Sequence, residues 1–211
     1  MKKFSKEDLD SLDRIYRLNL INSITGIKPA NLIGTKSADG FENLAIISSV
    51  IHLGSNPPII GFVMRPSYKV RRDTYENILT SKSYTINAVQ NDLVERAHYT
   101  SAKFDVEVSE FEKCHLTPLY EESCFAPFVA ESSLKFEMKL IEILDIKSNG
   151  TKMIVGEVMQ ILLDSKALEA NGQLDLEQLE IAGVSGLNSY YDLKKRASFP
   201  YARPSEIPNW D

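Results

Sequence analysis

The sequence predicts a mainly β protein, a barrel with flanking helices, and three stretches carry that prediction. Residues 134–140 read LKFEMKL, an alternation of apolar and charged side chains that marks a strand with one face inward and one in water. The parity then breaks at Leu140-Ile141 and again at Ile143-Leu144, and two breaks in one long strand mark bulges where a sheet bends to close on itself. Asn149-Gly150 separates this strand from TKMIVGEVMQILL at 151–163, and Asn-Gly supplies the positive φ that a tight hairpin needs. With further strand-like runs and few helical periods between them, a closed barrel fits better than a doubly wound parallel sheet.

In chain order, Ser5 is placed to cap one amphipathic helix with Leu9, Leu12, Ile15 and Tyr16 on a single face. Residues 30–36 (ANLIGTK) read as a strand that runs into the turn Ser37-Ala38-Asp39-Gly40. From Asn43 to Met64 there is no Asp, Glu, Lys or Arg, although 25% of the chain is charged. Asn43, Ser48, Ser49, His52 and Pro57-Pro58 interrupt the run, which excludes a lipid-facing helix. It reads instead as two buried strands, Leu44 to Leu53 and Ile59 to Met64, joined by Gly54-Ser55-Asn56-Pro57-Pro58.

Four cations follow at once: Arg65, Lys69, Arg71 and Arg72. Asp73 with Glu76 three residues later has the pattern of a capped helix start. Helix amides beside clustered cations suit a phosphate group, although such a cluster can equally be a solvated turn. Residues 83–89 alternate like a strand, with Asn87 as a polar contact candidate, and residues 92–100 are helical. Ser109-Glu110-Phe111-Glu112 is a short capped turn, Leu174 to Leu179 a short helix, and the Gly183-x-x-Gly186 stretch leads through Tyr191 into a last helix. Pro200, Pro204 and Pro208 fix an extended tail that carries Tyr201 and Trp210. These breaks divide the chain into a helical segment (1–25), a main domain (26–195) and a Pro-rich tail (196–211).

The net charge of −5 argues against nucleic acid or an anionic membrane as partner and makes the basic cluster a local device for a small anion. Cys114 and Cys124 have neither zinc nor redox-pair spacing and read as reduced thiols of a cytoplasmic protein. His52, His98 and His115 lack metal-ligand spacing, and the mixed charge of MKKFSKEDLDSLDR is not a secretory leader. No nucleotide-binding glycine loop, serine-nucleophile elbow or zinc-protease motif occurs. With no catalytic side chain and no metal site to assign, the chain suits a protein whose cofactor carries the reaction.

Several segments, in order, resemble the flavin reductase-like FMN-binding split-barrel family: Pro29-Ala30-Asn31-Leu32-Ile33-Gly34-Thr35, Asn43-Leu44-Ala45 with Ser48-Ser49, Ser55-Asn56-Pro57-Pro58, Arg72-Asp73-Thr74, Tyr84-Thr85-Ile86-Asn87, Ser109-Glu110-Phe111-Glu112 and Gly156-Glu157-Val158. The chain departs from the family pattern at Lys28, Asn56 and Cys114-His115. The resemblance implies a split β-barrel and a homodimer with FMN near the subunit interface. It implies NAD(P)H-dependent flavin reduction that serves an oxygenase or another acceptor, with a flavoredoxin-like electron carrier as the alternative. A ligand-binding module without redox use also stays open, since fold alone does not fix function. Carried onto this chain, the resemblance implies FMN contacts from Ser48, Ser49, Val50, Asn87 and Ser101, with His98 as a candidate contact to nicotinamide or flavin, and a phosphate environment of Arg65, Lys69, Arg71, Arg72 and Thr74.

Overall fold

The structure, a computed structural model, describes residues 1–67 and 70–210. Among the described residues twelve strands form in chain order: β1 (Lys28–Pro29), β2 (Asn31–Lys36), β3 (Glu42–Ile47), β4 (Ile51–Ser55), β5 (Pro58–Met64), β6 (Ser83–Ala88), β7 (Pro118–Leu119), β8 (Phe128–Val129), β9 (Leu134–Ile146), β10 (Thr151–Leu163), β11 (Ala182–Ser185) and β12 (Ser189–Asp192). The helices are α1 (Lys6–Ser11), α2 (Arg14–Ser23), α3 (Asp73–Ser81), α4 (Val94–Tyr99) and α5 (Glu110–Lys113). No helix among the described residues is long and apolar enough to cross a membrane.

Seven strands make one antiparallel sheet in the order β3-β2-β6-β9-β10-β5-β4. The two ends of that order, β3 and β4, are neighbours in the chain, so Ser48-Ser49-Val50 carries the backbone from one sheet edge to the other and closes the barrel. The single strand expected over residues 44–53 is therefore two strands. Ser49 makes the closure. Its hydroxyl accepts from Val63 N at 3.0 Å and donates to Val63 O at 3.2 Å, replacing a ladder bond with a side chain. The Asn56-Pro57 peptide in the following turn is cis.

The long hairpin forms at Asn149-Gly150, with Gly150 at φ +74°. One bulge falls where the sequence indicates it: Val155 faces Glu142 and Gly156 faces Leu140, which leaves Ile141 extra. The second is not at Ile143-Leu144 but on the partner strand, where Val158 faces Met138 and Gln160 faces Glu137, leaving Met159 extra. The charged face of β9 is also drier than its alternation suggests. Lys135 and Glu137 are buried; the Lys135 ammonium donates to Val129 O and Ala130 O, and Glu137 accepts from Gln160.

Two apolar layers sandwich the sheet. Inside the barrel lie Ile33, Phe62, Ile78, Tyr84, Ile86, Met138 and Ile154. Outside, Leu32, Leu44, Leu93, Phe111, Val129 and Val184 join β2 and β3 to α4, α5 and the β11-β12 hairpin. Because both faces of β2 are covered, its middle is tight: a Cβ at Gly34 would stand 2.2 Å from Pro127 O, so no larger residue fits.

Three local expectations are corrected. The N-terminal helix is two helices, capped by Ser5 and by Asp13, with no residue buried in either. Leu174 to Leu179 forms turns rather than a helix. The stretch after Gly183 is the hairpin β11-β12, turned by Gly186 at φ +61°, because Val184 and Tyr190 pack inward as a strand pair. The tail is exposed, with one 3₁₀ turn at Pro204–Glu206.

Candidate functional site

A cavity of about 700 Å³ opens against β3, the start of α3, the segment after α4 and the β11-β12 hairpin, within the size range of small-ligand and cofactor sites. Its floor follows from the position of β3 at the sheet edge. Edge strands leave alternate N–H groups unpaired. Here side chains take them: Leu44 N donates to Glu110 Oε2 at 2.9 Å, and Ile46 N donates to Thr100 Oγ1 at 3.0 Å. The next residue in that series, Ser48, lines the cavity. At a strand rise of ~3.3 Å per residue, the floor from Asn43 to Ser48 is about 17 Å long.

One end of this floor is built for an anion. Helix α3 opens at Asp73, and its N-cap, Arg72, provides no side-chain cap. Asp73 is thus the first helical residue rather than the cap, since its carboxylate binds Arg71 Nε at 2.7 Å. Thr74 Oγ1 accepts from Asn43 Nδ2 at 3.0 Å, which ties the helix start to β3. The two arginines differ. Arg71 points outward, its side chain 66% exposed and neutralised by Asp73. Arg72 lines the cavity, and its Nε is buried with no hydrogen-bond partner among the described residues. A buried guanidinium donor without an acceptor is costly, and a charged oxygen ligand would remove that cost.

Glu110 lies beside this end. Burial pushes its carboxyl up from the ordinary value, the Leu44 amide opposes the shift, and the charge of Asp73 adds to it. At the hairpin side of the cavity, His98 Nδ1 stands 3.0 Å from Tyr190 Oη, with the rings edge to face. Burial also raises the Tyr190 phenol.

The structure brings Ser48, Ser49, Arg65, Arg71, Arg72, Thr74, His98 and Ser101 to this cavity. It does not bring Val50 there, because Val50 packs against the barrel core. Nor does it bring Asn87. That side chain is fully buried and spends its amide on Leu32 O, Thr85 Oγ1 and Val129 N, so it ties β6 to β2 and β8. Lys69 lies outside the described residues. Sequence reasoning missed Asn43, Thr100, Glu110 and Tyr190 as lining residues. The Ser-Glu-Phe-Glu turn pointed to Glu110's segment, whereas Tyr190 gave no signal beyond its place in a glycine-bounded turn.

The flavin reductase-like domain model matches residues 27–178. The chain belongs to the flavin reductase-like family. A proposed flavin reductase with a split barrel domain from Shewanella frigidimarina is 44% identical, with a TM-score of 0.91 over 96% of this chain and 100% of that one. Nitrilotriacetate monooxygenase component B from Bacillus cereus shares the fold at 19% identity and a TM-score of 0.83, over 94% of this chain and 98% of that one. A flavoredoxin from Desulfovibrio vulgaris does so at 24% identity and a TM-score of 0.72, over 83% and 92%. The mainly β split barrel is thus a fold that this chain shares with these proteins.

Proposed function

We propose that this protein binds FMN in the cavity and reduces it with NAD(P)H, as a homodimer. The observation that carries this reading is the buried, unpartnered Nε of Arg72 at an uncapped helix start, which fits a phosphate monoester better than a neutral ligand. In this reading Arg72 and the first amides of α3 hold the phosphate, with Arg65 and Lys69 adding positive charge. Thr74 is held by Asn43 so that the helix start keeps its place. The ring lies along β3 toward Ser48 and Ser49, where small side chains let a flat group approach the backbone. Glu110 and Thr100 keep that edge straight by occupying its outward amides.

Bound FMN supplies the chemistry by accepting a hydride from the nicotinamide. The chain's own part is to position, to neutralise the phosphate and to exclude water. Reduced flavin then serves an oxygenase or another acceptor, a role supported by the likeness to a monooxygenase component B. The exposure of Ile51, Leu53, Ile141, Leu144, Met159 and Ile161 on β4, β9 and β10 supports a second copy, since apolar side chains gathered on one face mark an interaction surface.

The test is the absorption spectrum of the purified protein, loaded with FMN if necessary, followed by anaerobic NADH or NADPH. Flavin bands that bleach with either nucleotide support the reading. Bound flavin without bleaching replaces it with an electron carrier of the flavoredoxin kind, and failure to bind any flavin overturns both.

A further inference from the structure

The reading above gives Tyr190 no part, although it lines the same cavity and reaches His98 from 92 residues away in sequence. The pairing is anchored at both ends. Helix α4 follows β6 through a short 3₁₀ turn, Asn91–Leu93. The β11-β12 hairpin is held to the same region by Ala182 N donating to Val89 O at 2.8 Å and by the Gln90–Ile181 bridge. Tyr190 also packs its ring on the outer core layer. The hydroxyl is therefore delivered to His98 Nδ1 by rigid backbone rather than by a mobile loop.

The direction of the proton in this bond follows from chemistry. A neutral imidazole has one donor and one acceptor nitrogen. Phenol is the stronger acid of the two and imidazole nitrogen the better acceptor, so the bond runs from Tyr190 O–H to Nδ1. Burial, which keeps the phenol protonated, reinforces that direction. The hydrogen then sits on Nε2, which has no hydrogen-bond partner among the described residues.

We infer that Tyr190 is a positioning residue that fixes His98 as the Nε2–H tautomer, and that this N–H is a donor to a carbonyl oxygen of a planar ring held in the cavity. This rests on the proposed flavin site. Two rings offer such an oxygen, the carboxamide of the nicotinamide donor and the carbonyls of the flavin itself. The pair sets the orientation of whichever of them lies at the hairpin side, and it performs no proton transfer in the reaction.

Tyr190→Phe tests this while keeping the ring packing; His98→Asn keeps an amide donor, and His98→Leu removes it. The tautomer is read without any ligand from two-bond ¹⁵N–¹H correlations of the imidazoles, tractable because the chain has 3 histidines. The native protein should show His98 with hydrogen on Nε2 above the pH of imidazolium formation, and Tyr190→Phe should show both tautomers. Losing one neutral hydrogen bond should change affinity about two- to tenfold. A rise of that size in KM for the nicotinamide with kcat and FMN affinity unchanged assigns the oxygen to the carboxamide. The same rise in FMN dissociation constant assigns it to the flavin. His98→Asn should retain most of the affected parameter and His98→Leu should lose it. An Nδ1–H tautomer in the native protein, or Tyr190→Phe leaving both constants unchanged, overturns the inference. A protein that binds FMN but is not reduced by nicotinamide fails the proposed function yet leaves the tautomer and FMN measurements to decide this one.

Discussion

Replacement of Arg72 by alanine separates the binding role of this side chain from any structural one. The guanidinium makes no hydrogen bond or ion pair with described residues, and its Nε is buried. Removing it therefore breaks no hydrogen bond or ion pair among the described residues, and the apoprotein should unfold at the same or a higher urea concentration than the native chain. With FMN present the balance reverses. A charge-assisted hydrogen bond to phosphate contributes about 1.5–3 kcal/mol, so the FMN dissociation constant should rise roughly tenfold to a hundredfold. Fluorescence-quenching titrations of the apoprotein with FMN and with riboflavin would measure this at fixed ionic strength. Riboflavin lacks the phosphate and should bind the variant and the native protein alike. Arg71→Ala is the internal control: its side chain is exposed and already neutralised by Asp73, and FMN affinity should stay within about threefold. Equal weakening of both ligands in Arg72→Ala, or a larger loss in Arg71→Ala, would refute the assignment of Arg72 to the phosphate.

The other expectations concern the frame around this site. Asn87→Ala strands buried groups on Leu32, Thr85 and Val129 and should lower unfolding free energy by about 2–3 kcal/mol in urea titrations. Riboflavin and FMN affinities of the folded fraction should not change. Because burial raises the Glu110 carboxyl above its ordinary value, its ionisation disfavours the native state; the cost is absent below the unfolded-state pKa, appears as pH rises past it and is complete above the folded-state pKa. Glu110→Gln keeps an acceptor for Leu44 N and should be more stable than the native protein at neutral pH, the difference vanishing below about pH 4.5. A difference that persists in acid would contradict this. Light scattering at micromolar concentration should show a dimer, and a monomer that retains FMN would contradict both the dimer and an interfacial ring.

Some of this molecule was legible in its sequence, and the reasons differ by element. Asn149-Gly150 and the break at Leu140-Ile141 were readable because turn chemistry and side-chain parity are local properties. The basic cluster before α3 was readable because charge was absent for so long before it. The break between β3 and β4 was not, since Ser48-Ser49-Val50 continues a strand-like composition and only its bonds to Val63 on β5 make it a corner. Tertiary cover likewise buried Lys135 and Glu137 and satisfied them, Lys135 on the carbonyls of Val129 and Ala130 and Glu137 on the Gln160 amide. Of the residues that line the cavity, Arg65, Arg71, Arg72 and Thr74 belong to the stretch singled out in the sequence, whereas Tyr190 required the pairing of β11 with β1, which no local pattern announces.

The corner at Ser49 also makes the barrel seam a gauge of occupancy. Ser49 stands opposite Val63 in the register that puts Ile51 opposite Gly61, yet it pairs through a hydroxyl, and one rotation about its side chain would release the Val63 amide to solvent. Whatever rests on Ser48 and Ser49 restrains that rotation. The exchange rate of a single amide hydrogen, Val63 N–H, should therefore slow when the cavity fills while amides in the middle of β2 stay constant. Occupancy of the cavity could then be followed at one backbone position, whatever the absorption of its occupant.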